Sequence, residues 1–333
     1  MRRAGPRPAR PRPVLAAACA ALLTAALAGC GLKPASAFVP AVEPAGIRPI
    51  PGLKDVRLKV TSKEFTEQLI LGKIAVLALT AAGARAEDRT NVQGSVSARR
   101  SLTVGDNDLM WEYTGTAWIT YLGQNDPIPD ATRQFEAVRD MDLARNGIAW
   151  LAPPAPLNDT YAIAVTPASQ ARYGLKDLAD MAKVPVPQRT FCVESEFFSR
   201  NDGMRGMFTT YGLEYGRSVP AGNVLQMSTG VVFSALAQGR CTFGEVTSTD
   251  GRLPGLGLKV LEDGRKHFPI YNPAISVRAP VLRAHPELAG LFAKISPRLT
   301  TQVMLELNSR VDVDGDDPAF VARDWLRREG LVK

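Results

Sequence analysis

Few residues of this sequence have the types and spacing that catalysis needs. Its two histidines are His267 and His285, and the chain contains no HExxH, CxxC, GxSxG or GxxxxGK[ST] motif. The acidic run DVDGDD, residues 312–317, fails as a calcium loop because its glycine is at the fourth position and Arg323 occupies the twelfth. We interpret this run as a turn followed by a helix cap, and we expect a binding protein rather than an enzyme.

The stretch DLMWEYTGTAWITYLG combines residues that could line a binding site. An acid precedes Tyr113, Gly115 lies between two threonines, and Trp111 and Trp118 lie on either side. Aromatic rings can hold a cation, and a glycine allows a close backbone turn. The same residues are also common in helix cores, so the stretch alone leaves both interpretations open.

The first 29 residues are predicted to be a secretory signal. The basic start MRRAGPRPARPR is followed by VLAAACAALLTAALAG, an apolar run of 16 residues. A membrane-spanning helix needs about 20 residues, so this run favours a signal sequence. The run ends in LAGC, which resembles the bacterial lipoprotein cleavage box and implies cleavage before Cys30 and a diacylglycerol on its sulfur. The alternative is a plain signal peptide with an incidental cysteine.

The formal charge of +7 comes mostly from this leader, which holds five arginines and no acid. The other 35 basic and 33 acidic residues nearly cancel, so the composition gives no general reason to expect nucleic-acid binding. Residues 30–54 contain five prolines and little periodicity, and we expect them to form a stiff, extended tether. The sequence therefore predicts a globular domain tethered outside the cytoplasmic membrane.

Two cysteines, Cys192 and Cys241, remain after Cys19 leaves with the signal and Cys30 takes the lipid. Each lies near the start of a short apolar run, so they could lie on neighbouring strands. An even pair in an exported domain is typical of a disulfide. Two buried free thiols, or a catalytic thiol, are the alternatives.

Strand-like and helix-like patterns alternate along the rest of the chain. The predicted strands include DVRLKVT, DLMW, TYAIAVT, RTFCVES, CTFGEVTS, GLKVLED and YNPAISVR. A helix is expected from a Thr66 cap to Gly83, and another has Asp317 as cap, Pro318 in its first turn and Gly330 as stop. This alternation predicts an α/β fold built on parallel sheets.

Seven motifs in this order resemble one family. They are SKEFTEQLILGK, LMWEYTGT, LNDTYAIAV, ESEFFSRNDGM, TSTDGRL, FPIYNPAISVR and LNSRVDVDG. Together they resemble the osmoprotectant-binding proteins of ABC importers, which capture glycine betaine, choline, carnitine or proline betaine. The resemblance implies a periplasmic-binding-protein-like type 2 fold, with two α/β lobes joined by two crossovers around a ligand cleft. Lobe 1 would comprise residues 55–160 plus 271–333, and lobe 2 residues 161–270.

The resemblance also implies an aromatic cage for a quaternary ammonium group. Tyr113, Tyr161 and Tyr271 match family positions that contribute cage tyrosines, although any one of them alone would suit a core role. The family usually has another aromatic residue where this chain has Thr247. Phe233 is a substitute for that missing wall, or else a core residue of its helix. Because this aromatic wall is missing, the ligand could instead be a different small molecule.

A carboxylate clamp is implied by three further matches, Lys63, Thr116 and Arg200. Lys63 follows the first strand and precedes a helix, so we expect it to point at the cleft. The alternatives are a solvated lysine, a Thr116 helix cap, and an Arg200 ion pair with Asp202 or Glu196. If these three residues bind a ligand carboxylate, they favour a betaine or carnitine over choline, which has no carboxylate.

The function implied is a lipid-anchored, monomeric substrate-binding subunit on the outer face of the cytoplasmic membrane. It would pass a small zwitterionic osmolyte to ABC permease subunits, with no cofactor, no metal and no nucleic acid involved. Trp111 and Trp118 would then be packing residues, because the resemblance gives them no ligand role. The rival interpretations are a receptor for another small amino-acid-like ligand, an enzyme using Cys192 or Cys241, and an adhesin.

Overall fold

The computed structural model describes Met1, Gly5 and residues 39–333. Most of the predicted signal and the lipidation site Cys30 therefore lie outside the described residues. Within residues 39–333, ten strands occur. They are β1 (Arg57–Lys63), β2 (Arg85–Val92), β3 (Leu109–Tyr113), β4 (Ile148–Trp150), β5 (Tyr161–Val165), β6 (Phe191–Val193), β7 (Val224–Gln226), β8 (Phe243–Thr247), β9 (Lys259–Val260) and β10 (Pro273–Arg278).

These strands form two five-stranded sheets with matching topology. The first sheet has the order β2-β1-β3-β10-β4 and the second has the order β7-β6-β8-β5-β9. In each, the fourth strand runs antiparallel to its neighbours: β10 in the first sheet and β5 in the second. The sheets are therefore mixed, and the expectation of parallel sheets was wrong at these strands. Each is the strand entered after the chain crosses between sheets, so no βαβ connection sets its direction.

Helices cover the sheets. The α-helices of the described residues span Thr66–Ala81, Ser95–Thr103, Thr114–Thr116, Ala131–Asn146, Pro167–Tyr173, Ser195–Ser199, Met204–Thr210, Thr229–Ala237, Arg252–Gly255, Ala279–Ala284, Glu287–Ala293, Thr301–Asp312 and Pro318–Arg328. A π-helix, Ala117–Tyr121, follows the short helix after β3. No helix in the described part of the chain is long and apolar enough to span a membrane.

Two helix starts show where local signals succeed and fail. Asp317 caps the last helix through a bond from the Ala319 amide at 2.7 Å, with Pro318 in the first turn, as predicted. Thr66 does not cap the helix Thr66–Ala81, because the N-cap residue is Phe65 and makes no side-chain capping bond. The Thr66 hydroxyl donates instead to Asp312, at 2.6 Å.

Each sheet has its own hydrophobic core. The first is built on the almost wholly buried helix Thr66–Ala81 and includes Trp111, whose ring packs edge-on against Phe292 with 6.0 Å between centroids. Trp118 lies in a smaller cluster beside this sheet. The second core is rich in phenylalanine, including Phe191, which lies close to two other phenylalanine rings. Both tryptophans of the sequence motif are thus packing residues.

The segment before β1 differs from the expected tether. Residues 39–54 pack against the globular body, and Ile47 and Leu53 are buried in the first core. The amides of Gly46 and Ile47 donate to carbonyls of the C-terminal segment, at 3.0 and 2.9 Å, and Pro44 forms a bridge with Val332. The apolar residues between the prolines bind the segment to the body, which a proline count alone does not reveal.

A disulfide joins Cys192 and Cys241. Cys192 lies on β6, and Cys241 precedes the neighbouring parallel strand β8; their Cα atoms are 5.8 Å apart and 49 residues separate them in sequence. The bond ties together two strands of the second sheet. Because both sulfurs are bonded, neither cysteine offers a free thiol for catalysis.

Candidate ligand-binding site

A cavity of about 290 Å³ lies where the edges of both sheets meet. The carboxyl ends of the parallel strands β1, β3 and β8 open onto it. The amino ends of the antiparallel strands β5 and β10 open onto it as well, because their reversed direction places these ends at the same edge. This is the edge at which open α/β sheets bind ligands.

All seven ligand-contacting residues expected from the sequence line this cavity. They are Lys63, Tyr113, Thr116, Tyr161, Arg200, Thr247 and Tyr271. Six of them stand at the end of a strand or within three residues of one. The exception is Arg200, which follows the short helix Ser195–Ser199. Most of these residues are far apart in sequence, with only Tyr113 and Thr116 close together. The order of the strands in the two sheets is what brings them to one cavity.

Three cavity residues, Lys63, Phe65 and Tyr113, and the buried Glu112 behind them form a unit that we term the lysine half-site. The Lys63 ammonium lies 4.9 Å from the centre of the Tyr113 ring and 5.9 Å from that of Phe65. These two rings are nearly parallel, with 6.2 Å between centroids. Lys63 Nζ also pairs with Glu112 Oε1 at 2.8 Å, and both side chains are buried. The lysine is therefore held in place from two sides.

Glu112 is the acid of the motif DLMWEYTGTAWITYLG, and it supports Lys63. Its other oxygen, Oε2, accepts from the Tyr121 hydroxyl at 2.6 Å. The Arg99 guanidinium lies 4.9 Å from the centre of the Tyr121 ring and pairs with buried Asp142. The motif thus provides both a cavity wall, through Tyr113 and Thr116, and the buried network behind it.

A second unit, the arginine half-site, consists of Tyr161, Arg200, Asp202 and Tyr271. Arg200 donates through Nε and Nη2 to the two oxygens of Asp202, at 2.7 and 2.6 Å, in a bidentate pair. Its guanidinium lies 5.5 Å from the centre of Tyr161 and 6.0 Å from that of Tyr271. The two rings meet edge-to-face at 5.7 Å, and the Tyr271 hydroxyl donates to Asp202. Arg200 thus forms the Asp202 ion pair that the sequence had left as an alternative, and it lines the cavity as well.

Gly115 is required by the packing of Tyr271. A Cβ atom at Gly115 would lie 2.7 Å from Cδ1 of the Tyr271 ring and 2.8 Å from the Ile270 carbonyl oxygen. Only glycine allows the tyrosine to approach the backbone this closely. Thr116 beside it makes no side-chain capping bond, and its buried side chain lines the cavity.

Thr247 stands directly opposite Tyr161 in the β5–β8 pairing. Interaction with the Thr247 side chain lowers the pKa of the nearby Asp159, so a polar residue stands where the family usually has an aromatic wall. Phe233 does not replace it: its ring is buried in a separate cluster, with the Arg252 guanidinium 4.1 Å from its centre. Phe65, which was not among the residues expected from the sequence, supplies an aromatic face to the cavity. Its position two residues after Lys63, in the same motif, was the available signal.

The cavity lining is strongly acidic. Eight carboxyl and three basic side chains contribute to it. The acids are Glu64, Glu67, Asp159, Glu194, Glu196, Glu245, Asp250 and Asp312, and the bases are Lys63, Arg200 and Arg252. Burial raises the pKa of Glu67 to about 8, with a further increase from nearby Asp159. Burial likewise raises the pKa of Asp159 to about 6 and that of Glu245 to about 8. Glu67 and Glu245 are therefore expected to hold a proton near neutral pH.

A contact between the two sheets' helices closes one side of the cavity. Glu196, on the helix Ser195–Ser199, accepts from the Ser95 amide at 3.1 Å and from its hydroxyl at 2.5 Å. Ser95 begins the helix Ser95–Thr103, so a carboxylate lies at a helix N-terminus, where the helix dipole favours it. Glu196 also pairs with Arg200 at 3.2 Å. This contact links the arginine half-site to a helix packed against the first sheet.

The sequence of the chain matches a family of known proteins. The family's profile, described as the substrate-binding domain of ABC-type glycine betaine transport systems, matches residues 56–328. The chain belongs to this family. A glycine-betaine-binding protein of Pseudomonas aeruginosa is 36% identical over 283 residues, covering 83% of this chain and 88% of that protein.

Solved structures of this family share the fold. Unliganded YehZ from Escherichia coli has 30% identity and a TM-score of 0.61, covering 83% of this chain and 99% of that one. A glycine betaine/carnitine/choline ABC transporter structure has 27% identity and a TM-score of 0.66, covering 81% and 98%. The predicted periplasmic-binding-protein-like type 2 fold is confirmed. The family comprises extracytoplasmic substrate-binding proteins of importers, which work with membrane permease subunits and are not enzymes.

Proposed function

We propose that this chain captures a quaternary-ammonium osmolyte, such as glycine betaine or carnitine, in the cavity between the two half-sites. The observation that carries the proposal is the convergence of Phe65, Tyr113, Tyr161 and Tyr271 on one cavity. A trimethylammonium group donates no conventional hydrogen bond, so ring faces are its main protein partners, and each contact contributes about 0.5–2 kcal/mol. Relatives and solved structures named for glycine betaine support this ligand class.

The ligand's carboxylate would bind Lys63 and Arg200. Arg200 uses three of its N–H groups on Asp202 and Glu196, which leaves two of its five for a ligand. Lys63 has three N–H donors and one carboxylate partner, Glu112. The protein carboxylates fix both cations in position before the ligand arrives, so little side-chain entropy is lost on binding.

A second candidate ligand is a cation without a carboxylate, such as choline. The acidic lining favours it, because both clamp cations already have carboxylate partners within the protein. Binding of a different small zwitterion or amino-acid-like compound remains the alternative that the polar Thr247 supports. The ligand's net charge is the property that separates these candidates.

In the cell, we propose that the protein works as a monomer anchored through a lipid on Cys30 and presents its ligand to the permease. The two lobes would comprise residues 55–160 plus 271–333, and residues 161–270, as the sequence predicts. Closure of the lobes over the ligand would exclude water and strengthen the contacts of both half-sites. Mass spectrometry of the membrane-extracted protein tests the anchor: we expect a lipid-modified N-terminal cysteine peptide.

Calorimetric titration of the purified protein tests the ligand class. We expect binding of at least one of glycine betaine, carnitine, proline betaine and choline, with proline much weaker. Tyr161→Leu should weaken binding by about two- to thirtyfold by removing a ring face. Tyr173→Leu, at a tyrosine outside the cavity lining, is the matched control and should bind normally. If the folded protein binds no quaternary ammonium compound, the proposed ligand class is wrong.

A further inference from the structure

One threonine hydroxyl lies between two buried carboxyl groups. Thr249 Oγ1 is 2.6 Å from Glu67 Oε2 and 2.6 Å from Asp159 Oδ1. A hydroxyl has one hydrogen and can donate to only one carboxylate. The other short contact needs a hydrogen from the second carboxyl group. The geometry therefore requires at least one proton on the Glu67–Asp159 pair.

The surroundings favour Glu67 as the proton carrier. Its Oε1 accepts from the Tyr113 hydroxyl at 2.9 Å, and its Oε2 lies next to the hydroxyl of Thr249. Proton donation from Glu67 to Thr249, and from Thr249 to Asp159, satisfies both short contacts. This order agrees with a pKa of Glu67 raised to about 8 and one of Asp159 raised to about 6, both mainly by burial.

Other charged and titratable groups act on the pair from every side of the cavity. They are Lys63 at the end of β1, Tyr113 at the end of β3, Glu245 on β8, Asp250 and Arg252 after β8, and Asp312 on the helix Thr301–Asp312. Lys63 lowers the pKa of Asp159, whereas Asp250 raises it. Asn308 adds a neutral donor to Glu67 at 3.2 Å. None of these groups supplies a hydrogen between Thr249 and its two carboxyl neighbours.

We propose that Glu67 and Asp159 share this proton through Thr249, and that the pair distinguishes ligands by their net charge. Capture of a cation without a carboxylate expels the proton, so that two negative charges face one positive charge. Capture of a zwitterion leaves the proton in place, because the ligand carries its own carboxylate. The inference rests on the proposed function and specifies how the site responds to each ligand class.

The physical reason is the short-range electrostatics of a closed cavity. Both carboxyls line the cavity, so a bound cation lies in a poorly screened field. A lone positive charge lowers the pKa of Glu67 and favours loss of its proton. In a zwitterion, the carboxylate on Lys63 and Arg200 opposes this effect. Affinity for the cation should therefore rise with pH, while affinity for the zwitterion should not.

Calorimetry in several buffers tests proton release. Titrations at pH 7 in phosphate, HEPES and Tris separate the proton count from the binding enthalpy, because these buffers differ in ionisation enthalpy. We expect about 0.5–1 proton released per choline and close to none per glycine betaine. Between pH 6.5 and 8, choline affinity should rise by up to about tenfold per pH unit, and glycine betaine affinity should stay within about twofold.

Glu67→Gln provides the decisive variant, because its amide mimics the protonated acid and keeps contacts to Tyr113 and Thr249. We expect the variant to release fewer protons with choline than the unaltered protein and to lose most of the pH dependence between pH 6.5 and 8, because Glu245 is then the remaining cavity acid with a pKa raised to about 8. Glu214→Gln, at an exposed glutamate paired with Arg217, is the matched control and should titrate like the unaltered protein. The proposal fails if choline binds without proton release, or if Glu67→Gln keeps the pH dependence.

Carbon-13 NMR of the carboxyl groups separates this inference from the ligand class itself. In the unliganded protein, we expect two glutamate carboxyls, Glu67 and Glu245, to titrate with midpoints near pH 8, and only the midpoint of Glu67 should be absent from Glu67→Gln. If no quaternary ammonium compound binds, the proposed function is wrong and ligand discrimination fails with it. The NMR titration then decides whether the shared proton exists, and the absence of a high-pH midpoint belonging to Glu67 overturns that part too.

Discussion

The lysine and arginine half-sites both hold a buried cation at the cavity, but different parts of the molecule hold it in place. In each, a buried cation lies against two aromatic rings and is fixed by a carboxylate: Lys63 by Glu112, and Arg200 by Asp202. Glu112 also accepts from the amide of Tyr113 at 2.7 Å and from the hydroxyl of Tyr121. Asp202 receives its other side-chain bond from Tyr271, which precedes β10 of the first sheet. The lysine half-site is complete within the first sheet, whereas the arginine half-site depends on both.

The hydrophobic cores behind the two half-sites also differ, and the larger core again belongs to the first sheet. The first sheet is backed by a large core centred on a fully buried helix, while the second has a smaller core and a disulfide between β6 and the start of β8. A region that has less apolar surface to bury gains more from a covalent crosslink. The comparison suggests that the second sheet and its half-site are the more easily disturbed half of the molecule.

The largest expected effect comes from Arg200→Met. This change leaves Asp202 buried without its bidentate partner, so we expect a loss of about 3–5 kcal/mol in the free energy of unfolding and no measurable ligand binding. Lys63→Met should cost less, about 1–3 kcal/mol, because Glu112 keeps two donors. Urea unfolding measures both, and equal losses would remove the distinction between the half-sites. Arg217→Met, at an exposed pair, is the control and should change stability by less than about 1 kcal/mol.

Removal of the disulfide should have the next largest effect. Replacing both Cys192 and Cys241 by alanine should lower stability by about 2–4 kcal/mol, because a bond that closes a loop of this length restricts the unfolded chain. All four tryptophans, at positions 111, 118, 150 and 325, lie in the first sheet or the cores beside it. We therefore expect circular dichroism to detect an earlier unfolding step that tryptophan fluorescence does not. Coincident shifts in both signals would show one cooperative unit instead.

A smaller change, Gly115→Ala, tests the contact between the motif after β3 and the arginine half-site. The added methyl group must displace the Tyr271 ring, so we expect binding to weaken by about 1–3 kcal/mol. Gly290→Ala is the matched control, because open space surrounds that position and its helix should tolerate alanine. Unchanged affinity in Gly115→Ala would mean that the position of Tyr271 matters little for the ligand.

The smallest expected effect is a gain. Thr247→Tyr places a ring opposite Tyr161 and restores the aromatic wall that the family usually has. One added cation–π contact should strengthen binding of a quaternary ammonium ligand by about 0.5–2 kcal/mol. Calorimetric titration of the variant and of the unaltered protein gives the ratio of their ligand dissociation constants. A weaker ligand complex would show that the interaction of Thr247 with Asp159 matters more than the missing ring.

Much of this arrangement could be predicted from local sequence patterns. The predicted strands and the Asp317 cap depend on periodicity and on single residue types, and they agree with the structure. The seven expected site residues stand in motifs that resemble those of a known family, and this resemblance, rather than any local pattern, indicated that they meet. What local patterns carry is the position of an element along the chain, together with the residue types at its ends.

The rest depends on contacts between distant parts of the chain. The direction of β5 and β10 is set by how the chain crosses between the sheets, which no local pattern encodes. The carboxylate partner of Lys63, and the meeting of Glu67 with Asp159 through Thr249, appear only when separate elements come together. Burial of a carboxyl group likewise depends on its neighbours in space. The sequence motifs therefore located the site, but they did not reveal that its lining is acidic.

The packing of residues 39–54, the segment before β1, against the body limits how far the protein can lie from a membrane anchor. The segment's backbone bonds to the C-terminal residues fix the start of the body beside the first sheet. In a chain anchored at Cys30, eight residues, 31–38, then separate the anchor from that body. Eight extended residues reach at most about 30 Å, far less than a free tether of residues 30–54 would allow. Such a short linker would confine the binding protein to a thin layer at the membrane surface and raise its local concentration in that layer.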